Sequence, residues 1–240
     1  LPPGVFNMLV GAGSVVGEAM VNSPVLRAIS FTGSNEVGGA LYAKAAQRGA
    51  KVTCEMGGKN AVIVMADADL DKAAIAIHGG AFGSTGQRCT ATSRVIAAPA
   101  VKDALVERLV EGAKKIKVGP GLDESVDMGP AVDQKQFQTD LDYIAVGQKE
   151  GARLLLGGKK PANLGKGYFV EPTIFDNVAP GMRIFKEEIF GPVLSVSTAK
   201  NLDEALSYAN GVEYGLTTSI FTENIDTIMN FVEDVETGMV

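Results

Sequence analysis

Histidine and cysteine are scarce in this sequence of 240 residues, in which His78 is the single histidine and Cys54 and Cys89 are the two cysteines. Two cysteines form no disulfide framework, so two reduced thiols are expected. One histidine and two cysteines are too few for a convincing zinc site, and no metal site is predicted. Catalysis by a serine or cysteine paired with histidine would depend on His78 alone, so a carboxylate is the expected general base.

Basic clusters and long apolar runs are also absent. Acidic and basic residues are interleaved along a chain of net charge −6, which argues against nucleic acid and anionic membranes as partners. No apolar run approaches the roughly 18 residues that a membrane span needs. The first residues, LPPG, lack a signal-peptide pattern. With 46% hydrophobic and 21% charged residues, these features predict a globular, cytoplasmic protein.

Short apolar runs alternate with helical patterns, which predicts an α/β fold with a mainly parallel sheet. The predicted strands are residues 6–10, 28–31, 52–55, 61–64, 93–97, 153–156, 173–175 and 193–196. The predicted helices are residues 16–22, 36–48, 70–82, 100–115, 133–150, 202–210 and 225–235. The sequence begins without Met and stops where a strand pattern begins, so we expect a piece of a longer protein.

Two segments after predicted strands have features of a phosphate-binding turn. The glycines of GAGSVVG, among them Gly13, allow a tight turn, and the N-terminus of the next helix attracts an anion. Its GxGxxxG spacing differs from the dinucleotide fingerprint, so an ordinary strand–turn–helix glycine cluster stays an alternative. Ser34, at the end of FTGS, is expected at the ligand-binding edge of the sheet, and the same residue is a good N-cap for the next helix.

A carboxylate and a thiol are the candidate catalytic groups. Glu55 ends an apolar strand and is followed by Gly57 and Gly58. Cys89 follows the small, polar loop GSTGQR, where substrate can reach its thiol. A thiolate is a strong nucleophile, and a nearby carboxylate can deprotonate a thiol or a water. The alternatives are a solvated surface glutamate and a buried small cysteine, although the polar neighbours of Cys89 argue against the second.

The segment EEIFGPV contains a second carboxylate, Glu188, close to an aromatic residue, Phe190. The carboxylate is suited to binding sugar hydroxyls, and the phenyl ring to packing against a flat ring. Taken alone, the segment is better explained by a solvated glutamate pair and a core phenylalanine.

Together these motifs resemble the signatures of the aldehyde dehydrogenase superfamily: FTGS at 31–34, EMGGKN at 55–60, GQRCTA at 86–91 and EEIFGPV at 187–193. The separation of Glu55 and Cys89, 89 − 55 = 34 residues, matches that family. The resemblance implies a truncated aldehyde dehydrogenase-like catalytic domain at 58–240 and a partial Rossmann-like remnant of the cofactor-binding domain at 1–57. Details such as NEVG at 35–38 and RGAKV at 48–52 look closest to 2,5-dioxovalerate (α-ketoglutarate semialdehyde) dehydrogenases. Succinate-semialdehyde and non-phosphorylating glyceraldehyde-3-phosphate dehydrogenases stay alternatives.

The resemblance also implies residue roles in the oxidation of an aldehyde, such as a semialdehyde, to a carboxylic acid. Cys89 would form a thiohemiacetal and then a thioester, with its backbone N–H as one oxyanion donor. Glu55 would activate the water that hydrolyses the thioester, and could first help to deprotonate Cys89. The cofactor, NAD or NADP, would be bound by Gly13, Ser34, Gly57, Glu188 and Phe190.

The family has features that this sequence does not contain. The first half of the cofactor-binding domain, with the second oxyanion donor, is missing, so we expect the 240 residues alone to oxidise no aldehyde. The parent enzyme is expected to be a homo-oligomer, dimer or tetramer. Two other classes stay open, a catalytically inactive structural module and a cysteine hydrolase, although a hydrolase leaves the phosphate-binding motifs unexplained.

Overall fold

The computed structural model describes all 240 residues and divides them into two compact units, Leu1–Gly57 and Gly58–Val240. The first unit has two strands and two helices, and the second has six strands and six helices. None of the helices is long and apolar enough to cross a membrane.

The first unit is built around a parallel pair of strands. A helix connects the two strands, as a parallel pair requires. Thr32 and Glu55 are register partners at the carboxyl ends of the strands, so both predicted polar motifs leave the pair at the same edge. The elements in order are a π-helical turn (Gly13–Gly17), α1 (Glu18–Asn22), β1 (Ala28–Thr32), α2 (Asn35–Ala46) and β2 (Lys51–Glu55).

The strand predicted at residues 6–10 is wrong. This run forms no strand pairing, and its side chains stay exposed, with Phe6 at 77% and Val10 at 87%. An apolar run becomes a strand only when a neighbour completes its backbone hydrogen bonds and covers its side chains. The helix predicted at residues 16–22 begins instead at Glu18, after the π-helical turn.

The second unit contains a six-stranded sheet in the order β5-β6-β7-β4-β3-β8. Every neighbouring pair is parallel except β5 and β6, which are antiparallel. The strands are β3 (Asn60–Val64), β4 (Thr92–Ala97), β5 (Arg153–Leu156), β6 (Thr173–Asp176), β7 (Val193–Thr198) and β8 (Thr218–Phe221). The helices are α3 (Leu70–Phe82), α4 (Pro99–Ala113), α5 (Gln134–Lys149), α6 (Arg183–Lys186), α7 (Leu202–Asn210) and α8 (Ile225–Asp234).

Helices cover both faces of this sheet. Alternate residues of β3 point to opposite faces: Ile63 joins a core with residues of α5 to α8, while Val62 and Val64 join one with α3 and α4. All five residues of β3 are therefore buried, as expected for a central strand in a parallel sheet. The loops that lead into β3, β4 and β7 lie at the amino ends of these parallel strands, where the buried centre of the sheet holds them in fixed positions.

Candidate active site

Cys89 lies in a turn between a 3-10 helical turn (Gly83–Gly86) and β4. Residues 84, 85 and 86 have φ angles of 53°, 60° and 68°, in the left-handed region that non-glycine residues seldom adopt. The buried Thr85 hydroxyl donates to the Gly129 carbonyl oxygen at 3.1 Å. Backbone strain that the tertiary structure maintains in this way is a frequent feature of active sites.

The residues next to Cys89 anchor its turn to the rest of the unit. The Gln87 amide donates to the Pro130 carbonyl oxygen at 3.2 Å and accepts from the Val132 N–H at 2.8 Å. The Arg88 guanidinium donates to two carbonyl oxygens in the last turn of α3, at 3.0 and 3.3 Å. Cys89 itself is half-buried, and its backbone N–H donates no hydrogen bond within this unit.

Asn60, the first residue of β3, forms hydrogen bonds to the turn at residues 87–91, which contains Cys89 and is named the cysteine turn. Its side-chain amide donates to the carbonyl oxygens of Cys89 at 2.7 Å and Ala91 at 2.8 Å. Its side-chain oxygen accepts from the Thr217 N–H at 3.2 Å. Asn60 is 5% exposed, so these bonds are made away from bulk water.

Gly58 contacts both the cysteine turn and Glu188. A β-carbon on Gly58 would overlap the Cys89 carbonyl oxygen, so this position requires glycine. The Gly58 N–H donates to the Glu188 carboxylate at 2.9 Å. The segment from Gly58 to Asn60 thus joins the predicted nucleophile to a predicted cofactor residue.

The two glutamates of EEIFGPV differ in their partners. The Glu187 carboxylate accepts from Arg183 at 2.8 Å and from the Tyr143 hydroxyl at 2.6 Å. Glu188 accepts only the Gly58 N–H, and one of its oxygens has no hydrogen-bond partner. Burial raises the pKa of Glu188, while the Gly58 bond and the charge of Lys59 oppose that rise. Glu188 is therefore the glutamate with an oxygen available to accept from a ligand hydroxyl.

Two buried cations lie next to this segment. Arg94 donates to the Lys59 carbonyl oxygen at 2.8 Å and to two carbonyl oxygens at the end of α7, at 2.8 and 3.0 Å. The Lys59 amine is buried without a hydrogen-bond partner. Burial, followed by the charge of Arg94, lowers the pKa of Lys59 to about 7. The buried Lys59 amine therefore releases its proton more readily than an ordinary lysine.

Phe190 lies on a loop whose backbone packs against the cysteine turn. Phe190 has a φ of 61° and is 37% exposed, which is unusual for an aromatic residue in both respects. A β-carbon on Gly86 would overlap the Gly191 carbonyl oxygen, so the two loops approach each other closely. The Phe190 ring is thus partly exposed to solvent, on a loop that packs against the cysteine turn.

A buried acid supports the Phe190 loop. The Gln136 amide donates to the Asp140 carboxyl at 2.8 Å and to the Ile189 carbonyl oxygen at 2.9 Å. A β-carbon on Gly191 would overlap the Asp140 carboxyl, which shows how closely the loop packs on this acid. The other Asp140 oxygen is buried and unpartnered. Burial raises the pKa of Asp140 from 3.8 to about 7.

We expect this raised pKa to make the protein less stable as the pH increases from about 4 to 7. In that range the unfolded chain has lost the Asp140 proton and the folded chain keeps it, so folding is favoured less at higher pH. Asp140→Asn should remove this dependence, and its Tm relative to the wild type should rise as the pH increases. The matched control is Asp142→Asn, because Asp142 makes the same type of bond, with Gln138 at 2.7 Å, on the exposed face of α5. A Tm difference between Asp140→Asn and the wild type that stays constant across this range would contradict the assignment.

The other predicted site residues lie in the first unit. Glu55 is exposed at the end of β2, and Gly57 donates its N–H to the Asn35 side-chain oxygen at 3.1 Å. Ser34 caps α2, with its hydroxyl oxygen accepting from the Val37 N–H at 3.4 Å. The N-cap function of Ser34 is thus present, as the sequence predicted.

Gly13 lines a cavity of about 610 Å³ within the first unit. Apolar side chains from β1 and both helices form most of its wall, among them Val21, Ile29 and Leu41. Its polar rim includes Ser14 in the π-helical turn. Ser34 does not line this cavity.

The structure brings Cys89 and Glu188 together within the second unit, through Gly58 and Asn60, whereas Glu55, Gly13, Ser34 and Gly57 belong to the first unit. Asn60, Arg94 and Asp140 are not among the site residues predicted from the sequence. The only local signal for Asn60 was its place in EMGGKN, directly before a fully apolar strand. The partners of these three side chains lie far away along the chain, so their contacts depend on the tertiary fold.

The model of the aldehyde dehydrogenase family matches residues 1–240. The chain belongs to this family. It is 49% identical to the α-ketoglutaric semialdehyde dehydrogenase of Bacillus subtilis (strain 168) and 51% identical to the 2,5-dioxopentanoate dehydrogenase of Saccharolobus solfataricus, over 243 residues in each case. Each alignment covers 100% of this chain and 50% of the relative. Among solved structures, the 1-pyrroline-5-carboxylate dehydrogenase from Thermus with bound NAD has a TM-score of 0.94 at 41% identity, covering 100% of this chain and 47% of that chain.

These comparisons confirm the predicted resemblance to aldehyde dehydrogenases, including the similarity to 2,5-dioxovalerate (α-ketoglutarate semialdehyde) dehydrogenases. They also confirm the predicted α/β fold with a mainly parallel sheet. The chain spans about half the length of the curated relatives that it matches.

Proposed function

We propose that the protein carrying this sequence oxidises an aldehyde to a carboxylic acid with NAD(P)+, using Cys89 as the nucleophile. The observation that carries the proposal is the anchored turn around Cys89. Its strained backbone, its bonds to Asn60 and its half-buried thiol hold a nucleophile in one place without sealing it in the core. Such positioning of reacting groups is worth roughly 7–11 kcal/mol of a reaction barrier.

In the first step, the Cys89 sulfur bonds to the aldehyde carbon and gives a thiohemiacetal. The negative charge that develops on the aldehyde oxygen is stabilised by the backbone N–H of Cys89. That N–H is suited to this role because it donates no hydrogen bond within its unit. One such donor is typically worth about 2.7–4 kcal/mol to the transition state.

When it is bound, NAD(P)+ supplies the acceptor for the hydride that leaves the former aldehyde carbon. The residues of the chain fit this cofactor. The cavity beside Gly13 is large and apolar enough for a flat ring, and Glu188 has an unpartnered oxygen for a sugar hydroxyl. We propose that Gly13, Ser34, Gly57, Glu188 and Phe190 hold the cofactor. Residues 1–57 would then form part of the cofactor-binding domain and residues 58–240 part of the catalytic domain.

In the last step, Glu55 takes a proton from water, and the resulting hydroxide attacks the Cys89 thioester. The carbon–sulfur bond breaks and the carboxylic acid leaves. The proton held by Glu55 then returns to the Cys89 sulfur, which restores the thiol and the Glu55 carboxylate. Glu55 suits a general base because it is exposed at the carboxyl edge of a strand, where water can reach it.

We further propose a semialdehyde such as 2,5-dioxovalerate as the substrate. The support is the identity of about half of all residues to the two relatives whose names refer to that compound.

The test is NAD(P)H formation by the protein that carries this sequence, with 2,5-dioxovalerate, succinate semialdehyde and glyceraldehyde 3-phosphate, and with NAD+ and NADP+ in turn. We expect the highest kcat/KM with 2,5-dioxovalerate. A higher kcat/KM with another aldehyde would overturn the substrate assignment alone. Ester hydrolysis without any NAD(P)H would point to a cysteine hydrolase, and neither activity would point to a structural module.

A further inference from the structure

The Asn60 side chain makes three hydrogen bonds to backbone groups, two of them to the turn that contains Cys89. The pairing of β3 with β4 is irregular at this point, since Asn60 is in register with Thr92 but Ala61 with Arg94. Cys89 and Ala91 precede β4, which begins at Thr92, so the ladder does not include their carbonyl oxygens. The two N–H groups of the Asn60 side chain satisfy both oxygens, at 2.7 and 2.8 Å.

These bonds restrict the conformation of the nucleophile itself. The Cys89 carbonyl oxygen is fixed by the Asn60 amide and by its close approach to Gly58. A fixed carbonyl sets the rotation about the bond from the Cys89 α-carbon to its carbonyl carbon. The Asn60 side chain is in turn fixed by the Thr217 N–H at 3.2 Å, so it has no freedom to follow a moving turn.

We propose that Asn60 is a positioning residue for Cys89. It holds Cys89 so that the Cys89 thiol and the Cys89 backbone N–H both contact the carbonyl group of one substrate molecule. The inference rests on the proposed function, in which Cys89 accepts an acyl group. Asn60 touches no reacting atom and acts through the carbonyl oxygens of Cys89 and Ala91. It therefore affects acyl transfer, which needs the thiol and the N–H together, more than a reaction that needs the thiol alone.

The experiment compares two reactions of Cys89 in the protein that carries this sequence. Alkylation by iodoacetamide uses the thiol without an oxyanion donor, whereas acylation by p-nitrophenyl acetate also uses the N–H. Both rates are followed by peptide mass at Cys89, with Cys54 as the internal reference. The variants are Asn60→Asp, which has the same shape but places a carboxylate against two carbonyl oxygens, and Asn60→Ser, which keeps one donor in case the first does not fold.

The control is Ser93→Ala, because the Ser93 hydroxyl donates to the Asn60 backbone carbonyl oxygen at 3.2 Å and leaves the Cys89 contact intact. We expect the Asn60 variants to lose about 10- to 100-fold in acylation rate. Their alkylation rates should stay within about threefold of the wild type, and Ser93→Ala should keep both rates.

Equal changes in both rates, or unchanged acylation in a folded variant, would overturn the positioning role and leave the proposed function standing. Acylation that is no faster in the unmodified chain than in Cys89→Ala would overturn the proposed function, and the inference with it.

Discussion

In the protein that carries this sequence, replacing Cys89 with alanine is expected to abolish NAD(P)+-dependent aldehyde oxidation and ester acylation together. Both reactions begin with the formation of a bond to the Cys89 sulfur, and no other thiol lies on this turn. Loss of a nucleophile typically costs at least about 10⁴-fold in kcat. The change removes one small, half-buried group, so the fold should survive it.

The measurement is the initial rate of NAD(P)H formation and the mass of the acylated protein. Cys54→Ala is the matched control, because Cys54 is also half-buried and its thiol donates to the Gly38 carbonyl oxygen at 3.8 Å, within the first unit. That variant should retain its activity. Substantial oxidation by Cys89→Ala, or a loss caused by Cys54→Ala, would show that Cys89 is not the nucleophile.

Replacing Glu55 with glutamine is expected to leave the first turnover and slow the later ones. Glutamine has nearly the same shape but accepts no proton from water, so hydrolysis of the thioester should fall by about 10²–10⁴-fold. The Cys89 thioester should then accumulate. Rapid mixing should show a burst of NAD(P)H close to one equivalent per active site, followed by a slow steady state.

Mass spectrometry should find the acyl group on Cys89 during that slow phase. Glu107→Gln is the control, because Glu107 is an exposed glutamate on α4, and it should turn over at the wild-type rate. Wild-type turnover in Glu55→Gln would remove Glu55 from the mechanism. Loss of the burst as well would move its role to the activation of Cys89.

Most of the secondary structure could be predicted from the sequence because its signals are local. α3 and α7 have the predicted bounds, Leu70–Phe82 and Leu202–Asn210. Asp69, the N-cap of α3, accepts from the N–H groups of Asp71 and Lys72, both at 3.1 Å, so the start of α3 is encoded within three residues. The β3 strand was recognisable as an unbroken apolar run, since both of its faces are buried.

Elements that depend on a distant partner were not predictable in this way. β8 was missed, because its four residues, TSIF, form a strand only by pairing with β3, which lies 157 positions earlier in the chain (218 − 61). The short helix α6 was also missed, since four residues are too few for a periodic pattern. The opposite error occurred at residues 6–10, where a strand-like pattern has no partner strand.

The sequence by itself determined the order of the elements, the family and the motifs that contain the candidate groups, because each of these depends on residues that are neighbours along the chain. Only the tertiary structure decided how Gly58, Asn60, Cys89 and Glu188 meet. The sheet brings the start of β3 beside the turn that precedes β4, and the Glu188 loop reaches the same place from 130 residues further along the chain. A hydrogen bond between such positions depends on the packing of the whole unit, because distances of a few tenths of an ångström decide it.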